Sequence, residues 1–501
     1  MNLKEEIQNL LRETGDGTMS STSYDTAWVA RMSEIEPELS NLALQWLCEN
    51  QLPDGSWGTS QPMYYHDRVV CTLSTMIALT YRGRRAKDKS QIQKGLEALS
   101  AITEGATMGL RADPNGASVG FEVITPTLVA EAERLGLITQ QKERILGRLS
   151  RLRDIKMSKL AGIKISRLVT VAHSAEMTGK DKTDLLDIDN LQEINGSVGN
   201  SPSATAHFAL YVKPGDEKAT AYLCSLATAR NGGLPTLSPI EIFERVWVLW
   251  NLFLTDVYHS DEIIKKLSDT HLSYLEEHWK PGEGLGFSRS FSLVDGDDTS
   301  VGYEILSRFG RTPDLDAVLQ YEEEKWFRCF FLEANPSVDV NIHALGALRQ
   351  AGYEKGHPTI QKVLGFIRSM RQSENYWFDK WHVSPYYTTA HLIISAKGYD
   401  DRLCQESVDW ILKTQKADGS WGFYDFSTAE ETAYCIQALV IWQRHGGKIR
   451  KGSIEQAYRW LSKNFERPYP PLWIDKSLYC PDVIVRSSIL SALLLAEEQF
   501  S

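Results

Sequence analysis

QLPDGSWG occupies residues 51–58 and QKADGSWG residues 415–422, near copies of one segment in opposite halves of a 501-residue chain. Looser relatives read LQEINGSVG at 191–199 and PGEGLGF at 281–287. Between these turns apolar residues recur at helical spacing, as with Val408, Ile411 and Leu412 in ESVDWILKTQ and in SSILSALLLAEEQF, whereas strand-like alternation is rare. Each turn places glycine where the chain reverses, with a tryptophan and a glutamine positioned to pack on and cap the neighbouring helix ends. The expectation is an all-α protein whose helical hairpins close into α/α barrels, with inner-helix ends lining a cavity. On the repeats alone, a binding scaffold without catalysis stands equal to an enzyme, because fold does not fix function.

The length allows two or three domains. Gly- and polar-rich stretches at 193–204, 228–239 and 279–298 read as interhelical loops, where a site would be built. The reading divides the chain into an N-terminal segment 1–20 packing on the second domain, a first domain 21–260 and a second domain 261–501, changing over near 255–270. A net charge of −11 argues against nucleic acid as a partner, which needs a basic face. Seven scattered cysteines with no CxxC spacing suggest neither a disulfide framework nor a zinc cluster. The opening MNLKEEIQNLLRETGDG has no apolar signal core, and no stretch is long and apolar enough for a membrane span, so a cytoplasmic protein is expected.

In SFSLVDGDDTS, Asp295, Asp297 and Asp298 fall within four residues at a loop-to-helix junction. Burial and mutual repulsion raise carboxyl pKa values, so such a cluster can keep a proton at neutral pH and act as a Brønsted acid. An alkene is a very weak base and needs that acid in a dry pocket. Aspartates also favour helix caps and first turns, and the cluster alone does not separate the two readings.

The surrounding motifs do separate them. DGDD, together with SSTSYDTAWVAR at 20–31, GFEVITPTL at 120–128, FDKWHVSPYYTTAH at 378–391, EETAYCIQAL at 430–439 and PPLWIDKSLYCP at 470–481, resembles the class II diterpene cyclases. Within that family the chain is similar to bacterial halimadienyl, kolavenyl and copalyl diphosphate synthases. The resemblance implies a βγ architecture of two α/α barrels with the active site between them, and geranylgeranyl diphosphate as the substrate, cyclised to a bicyclic diphosphate. It implies Asp297 as the proton donor, Asp295 and Asp298 as its tuning partners, and Asn341 of VNIHAL as the side chain presenting the proton. For the diphosphate it implies Lys380 and Arg245, with Mg²⁺ on the diphosphate oxygens and Asp113 near the family's acidic magnesium region. Aromatic candidates for stabilising carbocations are Tyr24, Trp28, Trp377, Trp381, Tyr386, Tyr387, Tyr434 and Trp473, most of the repeat tryptophans being structural.

For termination the family's ent-copalyl members hold a water between a histidine and an asparagine. His173 of VAHSAE fits the histidine, and the asparagine position falls on Thr236. That departure favours a rearranged halimadiene or clerodane skeleton over a copalyl product. A downstream class I terpene synthase or phosphatase is the expected partner. A class I synthase would need a DDxxD motif, and Asp400-Asp401 continues instead as RLCQ. Squalene and hopene cyclases share the acid motif but are longer, and prenyltransferase subunits need a zinc set that Cys435 does not complete.

Overall fold

The computed structural model describes residues 2–82, 85–105, 117–138, 145–147, 149–160, 162–333 and 335–500. Asp113 lies outside the described residues. Two ranges of sequence build two rings of helices. In the second, Glu241–Leu252, Gly296–Arg308, Val338–Gln350, Pro385–Ala396, Ala429–Arg444 and Asp482–Phe500 each pack on the next, and the last closes on the first. Outside them lie Glu262–His278, Pro358–Ser369, Asp401–Thr414 and Ser453–Leu461.

The sequence patterns explain the layering. Asp401–Thr414 buries Leu403, Cys404, Ser407, Val408, Trp410 and Ile411, the one-sided stripe of an outer helix. Pro385–Ala396 buries every residue, as a helix packed on all sides must. In the first domain Ser23–Val29, Tyr65–Arg82, Phe121–Arg134, the 3₁₀ segment Thr170–Thr178 and Pro202–His207 form the corresponding inner circuit. Among the described residues, strands are limited to Ser21–Thr22 against Leu234–Pro235 and Trp473–Ile474 against Leu478–Tyr479.

The repeated turns are one device used several times. The indole N–H of Trp57 donates to the carbonyl of Leu47 at 2.8 Å, that of Trp377 to Ile367 at 2.7 Å and that of Trp421 to Ile411 at 2.8 Å. Each bond goes to a carbonyl in the last turn of the preceding helix, where the intrahelical ladder runs out. Gln415 donates to the carbonyls of Gly419 and Ser453, both at 2.9 Å, and Gln51 does the same with Gly55 and Gln91. Gly419 sits at φ +94°, and a Cβ there would lie 2.6 Å from the Gln456 backbone, so two constraints exclude a side chain.

The hydrophobic cores change over between Leu234 and Ile240, not near 260. Glu241–Leu252, assigned from sequence to the first domain, is a member of the second ring, because both its neighbours, Gly296–Arg308 and Asp482–Phe500, belong there. Leu3–Glu13 packs on Asp482–Phe500 and Glu262–His278. The hairpin 473–479 locks the domains together. Lys476, fully buried, donates to Glu176 at 2.8 Å and to Ser201 and Ser203 of the first domain, and the Leu478 amide donates to Asp67 at 2.9 Å. A buried ion pair contributes little net stability but is expensive to break, which makes it a registry device between the two halves.

Candidate active site

A cavity of about 400 Å³ lies between the domains. The three aspartates form part of its wall, with Phe243, Phe287, Phe291, Trp381, Tyr387, Trp473 and Tyr479 supplying an aromatic lining. His173, Asp475, Lys156 and Lys159 also face it.

The acid turn is held by its own backbone. Asp295 caps the helix Gly296–Arg308, its Oδ1 accepting from the amides of Asp297 at 3.0 Å and Asp298 at 2.8 Å. Gly296 is required between the aspartates, since a Cβ would lie 2.4 Å from the Arg328 carbonyl. Burial, with the nearby Asp297 charge adding to it, pushes Asp295 up to about 7 despite its hydrogen bonds. Burial and the Asp295 charge also raise Asp298 well above the ordinary carboxylate range, and its Oδ1 has no partner. Both favour its protonated form.

Asp297 makes the contact that sequence reading missed. Its Oδ1 lies 2.6 Å from Nδ1 of His343, whose Nε2 lies 2.9 Å from Nδ1 of His391. Burial and the neighbouring His343 hold His391 well below the ordinary histidine range, so it is neutral. Its Nε2 is buried without a partner, and a bare lone pair costs less there than an unsatisfied N–H. The tautomers then follow in sequence: His391 Nδ1–H donates to His343, and His343 Nδ1–H donates to Asp297. Asp297 also lines the cavity.

Asn341 does not reach the acid. Its carbonyl oxygen accepts from the Phe327 amide at 2.8 Å, and its NH₂ donates to the carbonyls of Phe327 and Ser337. It fastens a loop to the helix. The side chain that contacts the acid is His343, two residues on and on another face of the same helix.

Of the two expected diphosphate cations, Arg245 lies away from the cavity and Lys380 lines it. Arg245 donates to the carbonyls of Glu241 and Gly15 and stacks 3.9 Å over Tyr274, so it pins the N-terminal segment. Lys380 lines the cavity but is ion-paired to Glu333 and donates to the Asn335 carbonyl at 2.9 Å. Glu333 accepts from the Cys329 amide, and Cys329 accepts from Gly296, which puts this pair beside the acid turn. The other cavity lysines are Lys156, bonded to Glu122 at 3.0 Å, and the exposed Lys159.

Among the aromatic candidates, Trp381, Tyr387 and Trp473 line the cavity. Trp377 is a repeat tryptophan, Tyr386 packs on Trp410, and Tyr434 donates to Glu430 behind the wall. Trp28 lies in the first core against His207 and Arg31, and Tyr24 donates to Glu176 at 2.9 Å in the Lys476 network. These five were placed at the pocket by proximity in sequence; their buried partners draw them elsewhere.

His173 and Thr236 converge on a residue that was not anticipated. His173 Nε2 lies 3.1 Å from both oxygens of Asp475, while its Nδ1 lies 3.1 Å from the Gly199 carbonyl. Thr236 donates its hydroxyl to Asp475 at 2.7 Å. Burial alone would raise Asp475, but His173, Lys476 and Thr236 together hold it below the ordinary carboxylate value, so it is ionised. Tyr479 lines the same cavity, its own hydroxyl raised by burial and by the charges of Asp475 and Asp298.

Comparison with known proteins places this arrangement. A squalene-hopene cyclase C-terminal domain profile matches residues 331–466. A type B diterpene cyclase of Mycobacterium tuberculosis is 52% identical over 497 residues, 99% of each chain. A copalyl diphosphate synthase of Streptomyces anulatus is 27% identical, over 96% of this chain and 89% of that one. The solved ent-copalyl diphosphate synthase of Streptomyces platensis superposes with a TM-score of 0.80 at 26% identity, covering 99% of this chain and 100% of that one.

Proposed function

The chain belongs to the class II diterpene cyclases, and from that premise we propose that it protonates geranylgeranyl diphosphate at its terminal alkene through Asp297 and retains the diphosphate in a bicyclic product. The observation that carries this reading is the contact between Asp297 and His343 in a cavity lined by aromatic rings. His343 donates to the oxygen that does not carry the proton, and its bond strengthens as the carboxylate forms. The amide end of the helix favours the same charge. Asp298 and Asp295 supply a proton-rich, low-dielectric surrounding in which Asp297 is the member bonded to a neutral base chain.

Once protonated, the substrate carries its cation past Trp473, Tyr479 and Tyr387, whose ring faces attract positive charge without offering a nucleophile. Lys156 and Lys159 are the cations proposed for the diphosphate. Among the described residues no group of three metal-ligating side chains is present, and the carboxylate beside these lysines, Glu122, is already paired with Lys156. The described residues therefore do not fit a resident magnesium site. Magnesium is proposed only as part of the substrate's diphosphate salt, and no step above depends on it.

The product proposed is a rearranged halimadienyl or clerodane skeleton. Thr236 spends its hydroxyl on Asp475, so the water-holding pair of the ent-copalyl type is not formed from these residues. A downstream class I synthase or phosphatase would consume that diphosphate. Among the described residues no helix is long and apolar enough to cross a membrane, and the cysteines are free; a cytoplasmic location is proposed. The test is incubation of the enzyme with geranylgeranyl diphosphate, phosphatase treatment and mass spectrometry beside Asp297→Ala. A bicyclic alcohol from the parent alone is expected. Unchanged geranylgeraniol from both sinks the substrate assignment.

A further inference from the structure

One carboxylate of the cavity wall, Asp475, lies outside the acid turn, and its surroundings are built. Asp475 stands in the turn of the hairpin that joins the domains, between Trp473–Ile474 and Leu478–Tyr479, with its backbone fixed by Val119 N–H to Asp475 O at 2.9 Å and Asp475 N–H to Ser477 O at 3.1 Å. Its carboxylate lines the cavity, accepts from Thr236 and faces His173 Nε2 equally from both oxygens. His173 is engaged at both ring nitrogens, so it has no free lone pair to take a proton from substrate. Thr236 is fully buried, and its hydroxyl is committed to the carboxylate. Asp475 alone of the three retains unused acceptor capacity on the cavity side, since each carboxylate oxygen accepts more than one bond.

We propose that Asp475 is the base that ends the reaction, taking a proton directly from the carbon next to the final carbocation, with His173 and Thr236 as positioning residues. This rests on the diterpene cyclase reading above. The C–H bond breaks, its electron pair becomes the new C=C bond and quenches the cation, and the proton passes to a carboxylate oxygen of Asp475. Asp297 has given one proton to the alkene and Asp475 has received one, so the substrate's composition is unchanged. Exchange with water after product release restores both groups.

The placement also bears on which cation is quenched. Trp473 and Tyr479, paired across the hairpin that carries Asp475, line the same cavity as the acid turn. A negative charge fixed at the hairpin attracts the migrating cation towards itself, away from the acid turn. The skeleton is then set by where Asp475 sits as much as by the fold of the substrate.

The test is Asp475→Asn, which keeps the size of the side chain and an oxygen for Thr236 but removes the basic charge, assayed with geranylgeranyl diphosphate for substrate consumption and for product pattern. Consumption is expected to continue, with the fraction of alternative alkenes and water-capped alcohols rising by about tenfold or more, in line with what a lost general base costs. Asp475→Glu, which moves the carboxylate by one methylene, serves if the asparagine variant does not fold, and its ratio of alkene isomers is expected to shift. An unchanged single product at the parent rate overturns the proposal. So does a folded variant that no longer consumes substrate, because Asp475 would then act before termination. A parent enzyme that fails to cyclise geranylgeranyl diphosphate would instead remove the substrate reading, and the two failures are told apart by that parent assay.

Discussion

Replacing His343 with phenylalanine preserves a ring of similar size against Trp247 and Trp250 and, among the described residues, deletes the single side-chain donor to Asp297. The bond lost, 2.6 Å in the resting enzyme, joins a neutral donor to a group that becomes a carboxylate in the transition state. Hydrogen bonds to charged groups are worth about 1.5–3 kcal/mol. At about 1.4 kcal/mol per factor of ten, kcat should fall by about 10- to 150-fold. KM should move little, because His343 is buried behind Asp297 and bonds to the acid rather than to substrate. The assay is steady-state turnover of geranylgeranyl diphosphate, with circular dichroism and a thermal melt to show that the ring of helices is intact. His391→Phe should cost less, since it releases the tautomer of His343 without removing the donor. A folded His343→Phe enzyme with kcat within about threefold of the parent would refute the assignment.

Three further outcomes are expected. Lys156→Ala with Lys159→Ala should raise KM by about tenfold or more, whereas Arg245→Ala should leave KM unchanged and lower the melting temperature; both are read from the same saturation curves. Asp295 is protonated in the folded chain up to about 7 but ionises in the ordinary carboxylate range when unfolded, so its contribution favours the fold at low pH and is lost as pH rises towards 7. Asp295→Asn, which keeps the helix cap, should therefore gain stability relative to the parent as pH rises from about 4 to about 7 in urea titrations, a range set by the ordinary carboxylate pKa of about 4 and the shifted value of about 7. Gly419→Ala should destabilise the protein by about 1–3 kcal/mol, measured by denaturant midpoint, because the new methyl group meets the Gln456 backbone.

The layering of the fold was legible because the repeat carries it: a glycine with positive φ, a tryptophan N–H aimed at the carbonyl ten residues earlier, and a glutamine bridging two carbonyls are local devices. The acid turn was legible for the same reason, since Asp295, Gly296, Asp297 and Asp298 form one cap. His343 was not, although a signal existed. Asp339 and His343 are four residues apart and share a helix face, while Asn341 looks to the loop at Phe327. Reading VDVNIHAL by face rather than by motif would have favoured the histidine.

Contacts between the domains were the least legible. Asp475 and Lys476 are an isolated charged pair inside the apolar segment LWIDKSLY, which marks them as unusual, but their partners, His173 and Thr236 for one and Glu176 for the other, lie more than 200 residues away. Arg245 is drawn away from the cavity, and Lys380, although it lines the cavity, is paired with Glu333, for a related reason. A cation's fate is decided by the nearest carbonyl or carboxylate, and Gly15 and Glu333 are remote from them in sequence. Lys156 and Lys159 sit in the stretch DIKMSK, where spacing alone did not set them apart from surface lysines.

The central claim, that reaction begins with a proton placed on the far alkene while the diphosphate stays on, is tested most directly by running the enzyme with geranylgeranyl diphosphate in D₂O. One deuterium is predicted on the carbon that was the CH of the terminal alkene, in a bicyclic product that still carries diphosphate, and none from Asp297→Asn. An unlabelled product, or release of inorganic diphosphate with turnover, would contradict it.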